Sequence, residues 1–182
     1  MDELGRVGPE DYTTALKLRI VVVLDDVRSR HNVGSIFRSA DCFGVERIEL
    51  CGFTPLPPHR EIEKTALGAT RSVPWVHVEA AADAVRALQA AGYKVFAVEQ
   101  TLGAIPLNEL GPVGEDPIAL VFGNELNGVS EAVVVACDQC VVIPQHGSKH
   151  SLNVSVCAGV VLHHLAGNQP GRGNQNAFHG ST

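Results

Sequence analysis

The chain has 182 residues, of which 45% are hydrophobic, enough to bury one core and too few for two domains of ordinary size. A net charge of −6 argues against broad non-specific nucleic-acid binding, and the lack of a basic stretch leading into a bilayer-length apolar run argues against secretion and membrane insertion. Five cysteines, an odd number set mostly in apolar runs, read as reduced thiols of a cytoplasmic protein; the lone Cys137-x-x-Cys140 pair sits among valines and predicts buried thiols, with no metal.

Residues 1–18 are polar and mixed, an arm or a short helix. Residues 19–25 form a continuous apolar run of the kind found in strands buried on both faces. Next, Val33, Ile36, Phe37, Ala40 and Phe43 share one helical face, with Asn32 as the expected N-cap and Gly44 as the C-cap. Arg38 falls off that stripe and is free to point elsewhere. Strands are predicted at 47–51, 73–78, 94–99, 118–122 and 141–143, and helices at 61–69, 80–91 and from about 131. Trp75 reads as a packed aromatic, and residues 100–117, rich in Gly and Pro, as loop. After Ile143-Pro144 a polar glycine loop carries His146, Lys149 and His150, and Ser151 opens a long apolar helix whose first N–H groups suit an anionic or carboxylate-bearing ligand. The Gly-, Asn- and Gln-rich residues 167–182 predict a disordered tail. Strands alternating with helices imply α/β architecture: one parallel sheet with helices on both faces, and polar loops after residues 24, 122 and 143 at its carboxyl edge. Basic residues concentrate in two stretches, Arg28, Arg30, His31 and Arg38, and then His59, Arg60, Lys64 and Arg71. They are expected to gather around one mouth.

Three segments in fixed order, Asn32-x-Gly34-x-x-x-Arg38, then Val121-Phe122-Gly123-Asn124-Glu125 with Gly128, then Ile143-Pro144 followed by Ser151-Leu152-Asn153-Val154-Ser155, closely resemble the three motifs of the SpoU (TrmH-type) ribose methyltransferases of the SPOUT class. The likeness covers residues 19–166. It implies a single catalytic domain with a deep C-terminal trefoil knot, a homodimer, and S-adenosylmethionine bound in the knot by Gly123, Ile143 and Leu152 through backbone groups and apolar contact. The implied reaction is methyl transfer to a ribose 2′-hydroxyl of RNA, with Arg38 as catalytic arginine and Asn32, Glu125, Ser151 and Asn153 orienting it, the ribose and the phosphate. A guanidinium loses its proton only near pH 12.5 or above, so Arg38 is either a base assisted by the substrate phosphate or a cation steadying the alkoxide. Arg28, Arg30, Arg60, Lys64 and Arg71 are the candidate RNA contacts. Few residues precede the first strand, which resembles the tRNA-directed members more than the ribosomal ones. The competing readings are a catalytically idle RNA-binding relative, and an α/β protein for some other nucleotide; no G-x-x-x-x-G-K-[ST] or G-x-G-x-x-G follows a strand to support the latter.

Overall fold

Side chains of a strand alternate between two faces, so a run as apolar as β1 (Leu18–Asp25) is stable only where both faces are covered. In this computed structural model, which describes residues 17–111, 116–148 and 151–167, β1 is an interior strand. Ile20, Val22 and Leu24 enter one apolar cluster, Val21 and Val23 the other, and all are fully buried. There follow α1 (Arg30–Phe43), β2 (Val45–Cys51), α2 (Arg60–Ala66), α3 (Ala69–Ser72), β3 (Trp75–Val78), α4 (Ala81–Ala90) and β4 (Lys94–Val98). The remainder is β5 (Ile105–Pro106), a 3₁₀ turn (Leu107–Glu109), β6 (Ile118–Phe122), α5 (Glu131–Ala136), β7 (Gln139–Val142) and α6 (Val154–Gly167).

The strands form one sheet in the order β3-β2-β1-β6-β4-β7-β5, with every pairing parallel. Helices α1, α2 and α6 cover one face through residues such as Phe37, Ile62 and Leu162; α4 and α5 cover the other through Val85, Leu88 and Val133. The α/β layering expected from the alternating elements is therefore the observed one. From β1 the chain winds outward to β3, then crosses to β4 and places β6 between the halves. The carboxyl ends of β1, β6, β4 and β7 thus lie side by side where the winding reverses, the position at which such sheets collect ligands.

Four local expectations are corrected. Asn32 is not the N-cap of α1: Ser29 is, its hydroxyl accepting from Asn32 N–H, which leaves the Asn32 amide free for another partner. The helix expected at 61–69 stops at Ala66, because Leu67 turns left-handed (φ 50°) and α3 restarts after Gly68. The loop expected over 100–117 contains β5, which adds a two-residue edge to β7, and the 3₁₀ turn. Ser151 does not open the last helix. Asn153 does, its Oδ1 accepting from Ser155 N–H (2.9 Å) and Val156 N–H (3.4 Å), so those donors are not available to an anion. Trp75 packs against the core as expected. Residues 1–16 of the arm, 168–182 of the tail, Lys149 and His150 lie outside the described residues, while Leu18, read as arm, begins β1 and Gly167, read as tail, ends α6.

Candidate active site

The three motif segments, far apart in sequence, meet through one chain of side-chain hydrogen bonds. Asn32 Nδ2 donates to Glu125 Oε1 at 2.9 Å, and Asn153 Nδ2 donates to Asn32 Oδ1 at 3.2 Å. Glu125 also accepts from the backbone N–H groups of Arg28 (3.1 Å) and Ser29 (3.0 Å), just where α1 begins. Burial alone pushes the Glu125 carboxyl up, but the bond from Asn32 and the bonds from backbone N–H groups outweigh it and hold the group below its ordinary range. The carboxylate stays ionised and its orientation is fixed.

The loop bearing Glu125 is built by Asn124, whose amide carries the turn. Asn124 Oδ1 accepts from Leu126 N–H (2.9 Å) and Asn127 N–H (3.3 Å), Nδ2 donates to the Asp26 carbonyl (2.7 Å), and the backbones of Asn124 and Gly128 exchange two bonds of 2.9 Å. A Cβ on Gly123 would lie 2.1 Å from the Gly128 carbonyl carbon and the Val129 nitrogen, so only glycine lets the turn close. Two carboxylates absent from the sequence reading anchor the same loop. Glu99, at the end of β4, accepts from Val129 N–H (2.8 Å) and Gln100 N–H (2.9 Å), and the buried Asp25, at the end of β1, accepts from Ser130 N–H (2.9 Å).

Beside this loop is a cavity of about 490 Å³, within the range of small-molecule and cofactor sites. Its walls include Gly123, Ile143 and Leu152 together with Glu125, Ser151 and Asn153, and also Glu99, Asn124 and Cys157. Asn32 joins the wall through Glu125 and Asn153. Val98, Phe122, Val141 and Val142 line the same cavity as two carboxylates, a lining suited to a flat heteroaromatic ligand that also carries positive charge. Burial, and then the charge of Glu99, push the Cys157 thiol up to about 11, so it is a neutral wall group and no nucleophile.

Arg38 is not part of the cavity wall. It lies six residues beyond Asn32, about 9 Å along α1 and about a third of a turn round it, and its side chain is exposed. Of the other cations, Arg28, Arg30 and Arg60 are exposed where α1 and α2 begin, tied by the Arg30–Glu61 pair at 3.6 Å; Lys64 follows one turn along α2 and Arg71 lies on α3. None of these five cations lines the cavity. Glu99 directly follows β4 and Asp25 ends β1, positions that mark no function until the loop folded against them is known.

A parallel sheet whose cavity, at the switch in winding, is walled by backbone loops, apolar side chains and fixed carboxylates defines an α/β protein with a site of the size and lining of a nucleoside-like ligand. The sequence profile of the SpoU rRNA Methylase family matches residues 19–163, and the chain belongs to that family. It is 34% identical over 162 residues to a 23S rRNA (guanosine-2′-O-)-methyltransferase RlmB of Vibrio parahaemolyticus, covering 88% of this chain and 64% of that protein. It is 32% identical to a putative TrmH family tRNA/rRNA methyltransferase of Staphylococcus haemolyticus, covering 81% and 58%. The chain therefore spans under two thirds of these relatives. Among solved structures, a TrmH/SpoU tRNA modifying enzyme of A. aeolicus superposes with a TM-score of 0.77 at 26% identity, covering 86% of this chain and 79% of that one. An AdoMet-bound rRNA methyltransferase of Sinorhizobium meliloti gives 0.76 at 28% identity, covering 88% and 60%.

Proposed function

We propose that the protein transfers a methyl group from S-adenosylmethionine to a ribose 2′-hydroxyl of RNA and does so as a homodimer. The observation that carries this reading is the Glu125–Asn32–Asn153 chain, which joins all three motif segments at the rim of one cavity. Gly123, Ile143 and Leu152 hold the adenine side of the cofactor by backbone and apolar contact. When bound, the cofactor supplies an electrophilic methyl on a sulfonium. The carboxylates of Glu99 and Glu125 give the wall a charge suited to that cation.

The protein's own task is to place and activate the hydroxyl. Ser151 and Asn153 sit at the cavity edge with exposed polar groups and orient the ribose, while Asn32 and Glu125 hold the start of α1 in place. Arg38 steadies the alkoxide as the proton departs to solvent or a substrate phosphate, a role that needs only its donors and charge. It reaches the reacting hydroxyl from the second copy. Helices α1 and α6 pack near Ser39 and Gly159, whose chain neighbours Arg38 and Val160 are both exposed, as is Val156 at 52%. An apolar stripe near an exposed cation fits an interface that delivers the arginine to the other cavity. The knot belongs to the same proposal: β5 runs outside β7, and the Leu110 carbonyl pairs with His164 of α6 at 3.3 Å, so the loop before β6 lies across the last helix.

The tRNA preference read from the sequence has no counterpart in the cavity, and RlmB relatives are named for 23S rRNA guanosine, so both RNAs belong in the test. Purified protein, labelled S-adenosylmethionine and total tRNA or rRNA are expected to yield a 2′-O-methylnucleoside by mass spectrometry. Cofactor binding without any such product would favour the idle relative. No affinity for the cofactor would refute the whole reading.

A further inference from the structure

Among the described residues one aromatic ring stands in solvent. Phe53 is 79% exposed, whereas Phe43, Trp75 and Tyr93 are half-buried and Phe37, Phe96 and Phe122 are buried. A lone exposed apolar side chain is ordinary. What sets Phe53 apart is the firmness with which its backbone is held. Phe53 N–H donates to Asp26 Oδ1 at 2.7 Å, and Thr54 Oγ1 donates to the Leu24 carbonyl and accepts from Val27 N–H, each at 3.1 Å. Just before it, Gly52 N–H donates to the Val78 carbonyl at 3.0 Å, and the Gly52 carbonyl meets His77 Nε2 at 3.2 Å. With the backbone held this way, stacking on the ring orders a side chain of two torsions and no loop.

The same bonds tie Phe53 to the candidate active site. Asp26, which holds it, is bonded through its carbonyl to Asn124 of the Glu125 loop and is two residues from Arg28, whose N–H is held by Glu125. Two residues of chain span at most about 7.6 Å. Arg28 and Arg60 are exposed where α1 and α2 begin, and Arg30 pairs with Glu61. An exposed π-face on a loop bonded to the segment that carries Arg28 is complementary to a nucleobase and its flanking phosphate.

We infer that Phe53 is a stacking platform for an unpaired base next to the nucleotide that is methylated, with Arg28 and Arg60 contacting the adjoining phosphates. This rests on RNA being the substrate. It assigns to the β2–α2 loop a share in recognition that does not depend on base identity, since every base has a face to stack.

The test uses the full chain, a fluorescent single-stranded oligouridylate at low salt, and F53A and F53W. F53A is expected to bind the oligonucleotide about 5- to 150-fold more weakly, the factor for losing one base–aromatic stack. Its affinity for S-adenosylmethionine should be that of wild type, which shows the fold intact, and its salt slope should be unchanged because no phosphate contact is lost. F53W should bind at least as well as wild type, with its emission quenched by the oligonucleotide above the background of Trp75. If F53A binds like wild type while R28A/R60A binds weakly, the platform is refuted and the RNA reading stands. If wild type binds neither this probe nor tRNA nor rRNA, both fall. If F53A changes self-association in sedimentation, the ring is a contact between copies and the inference is wrong.

Discussion

Gly34, the central residue of the first motif, is demanded by packing, and replacing it with alanine measures how tightly α1 crosses α2. An added Cβ would lie 2.1 Å from Thr65 Oγ1, 2.3 Å from the Ile62 carbonyl oxygen and 3.1 Å from Ala66 N, where ordinary contact starts at 3.4 Å. The hydroxyl could rotate away, but the carbonyl belongs to the backbone of α2, so the helix must retreat by about 1 Å. That retreat loosens Ile62 and Ala66, both essentially fully buried, and stretches the 3.0 Å bond from Thr65 Oγ1 to the His31 carbonyl. Overpacking of this kind costs about 1–3 kcal/mol. Alanine recovers about 0.5–1 kcal/mol of helix propensity, leaving a net loss of about 1 kcal/mol. For a chain of this size that is a fall in Tm of about 2–4 °C. Urea unfolding and calorimetry of G34A, with G34A/T65A beside it, read the effect; removing the hydroxyl should restore little. A G34A protein as stable as wild type would show that the crossing is looser than drawn here, and the glycine would need another explanation.

Other outcomes follow from the site. Because the Glu125 carboxyl is held below its ordinary value of 4.5, its stabilisation is complete above that value and lost as pH falls through the lower folded one. The difference between wild type and E125Q in urea midpoint should therefore be largest near neutrality and shrink to nothing in acid. R38A should lose methyl transfer about 100-fold or more while its S-adenosylmethionine affinity, by calorimetry, stays that of wild type, since Arg38 is no part of the cavity wall. V156E/V160E places charges on the exposed stripe of α6 and should sediment as a monomer without transfer activity, its far-ultraviolet circular dichroism unchanged.

Much of the fold was legible because the strands are so apolar. The run at β1 could only be an interior strand, and the polar segments after β1, β6 and β7 could only be loops at one edge. The grouping of Gly123, Glu125, Ser151, Leu152 and Asn153 around one cavity followed from that edge and from the family likeness. What could not be read was which polar atom bonds to which. Ser29 and Asn32 are both good caps, and only the position of Glu125, 93 residues away from Asn32, decides that Ser29 caps the helix and Asn32 bridges. Likewise Asn153 displaced Ser151 as the start of α6 because its amide also reaches Asn32. Glu99 went unnoticed since a carboxylate after a strand carries no signature; its role exists only once Val129 is folded against it. Arg38, read as lying off the apolar stripe of its helix, is indeed exposed on α1.

The bridge from Glu125 to Asn32 to Asn153 joins residues separated by 93 and 121 positions in the sequence. A nascent chain can join Asn32 to Glu125 only once β6 has been made, and the bond from Asn153 waits for α6. A ligand that fills the cavity walled by Glu125 and Asn153 waits for α6 as well, and at about 100 times its dissociation constant it would add about 2.7 kcal/mol against unfolding.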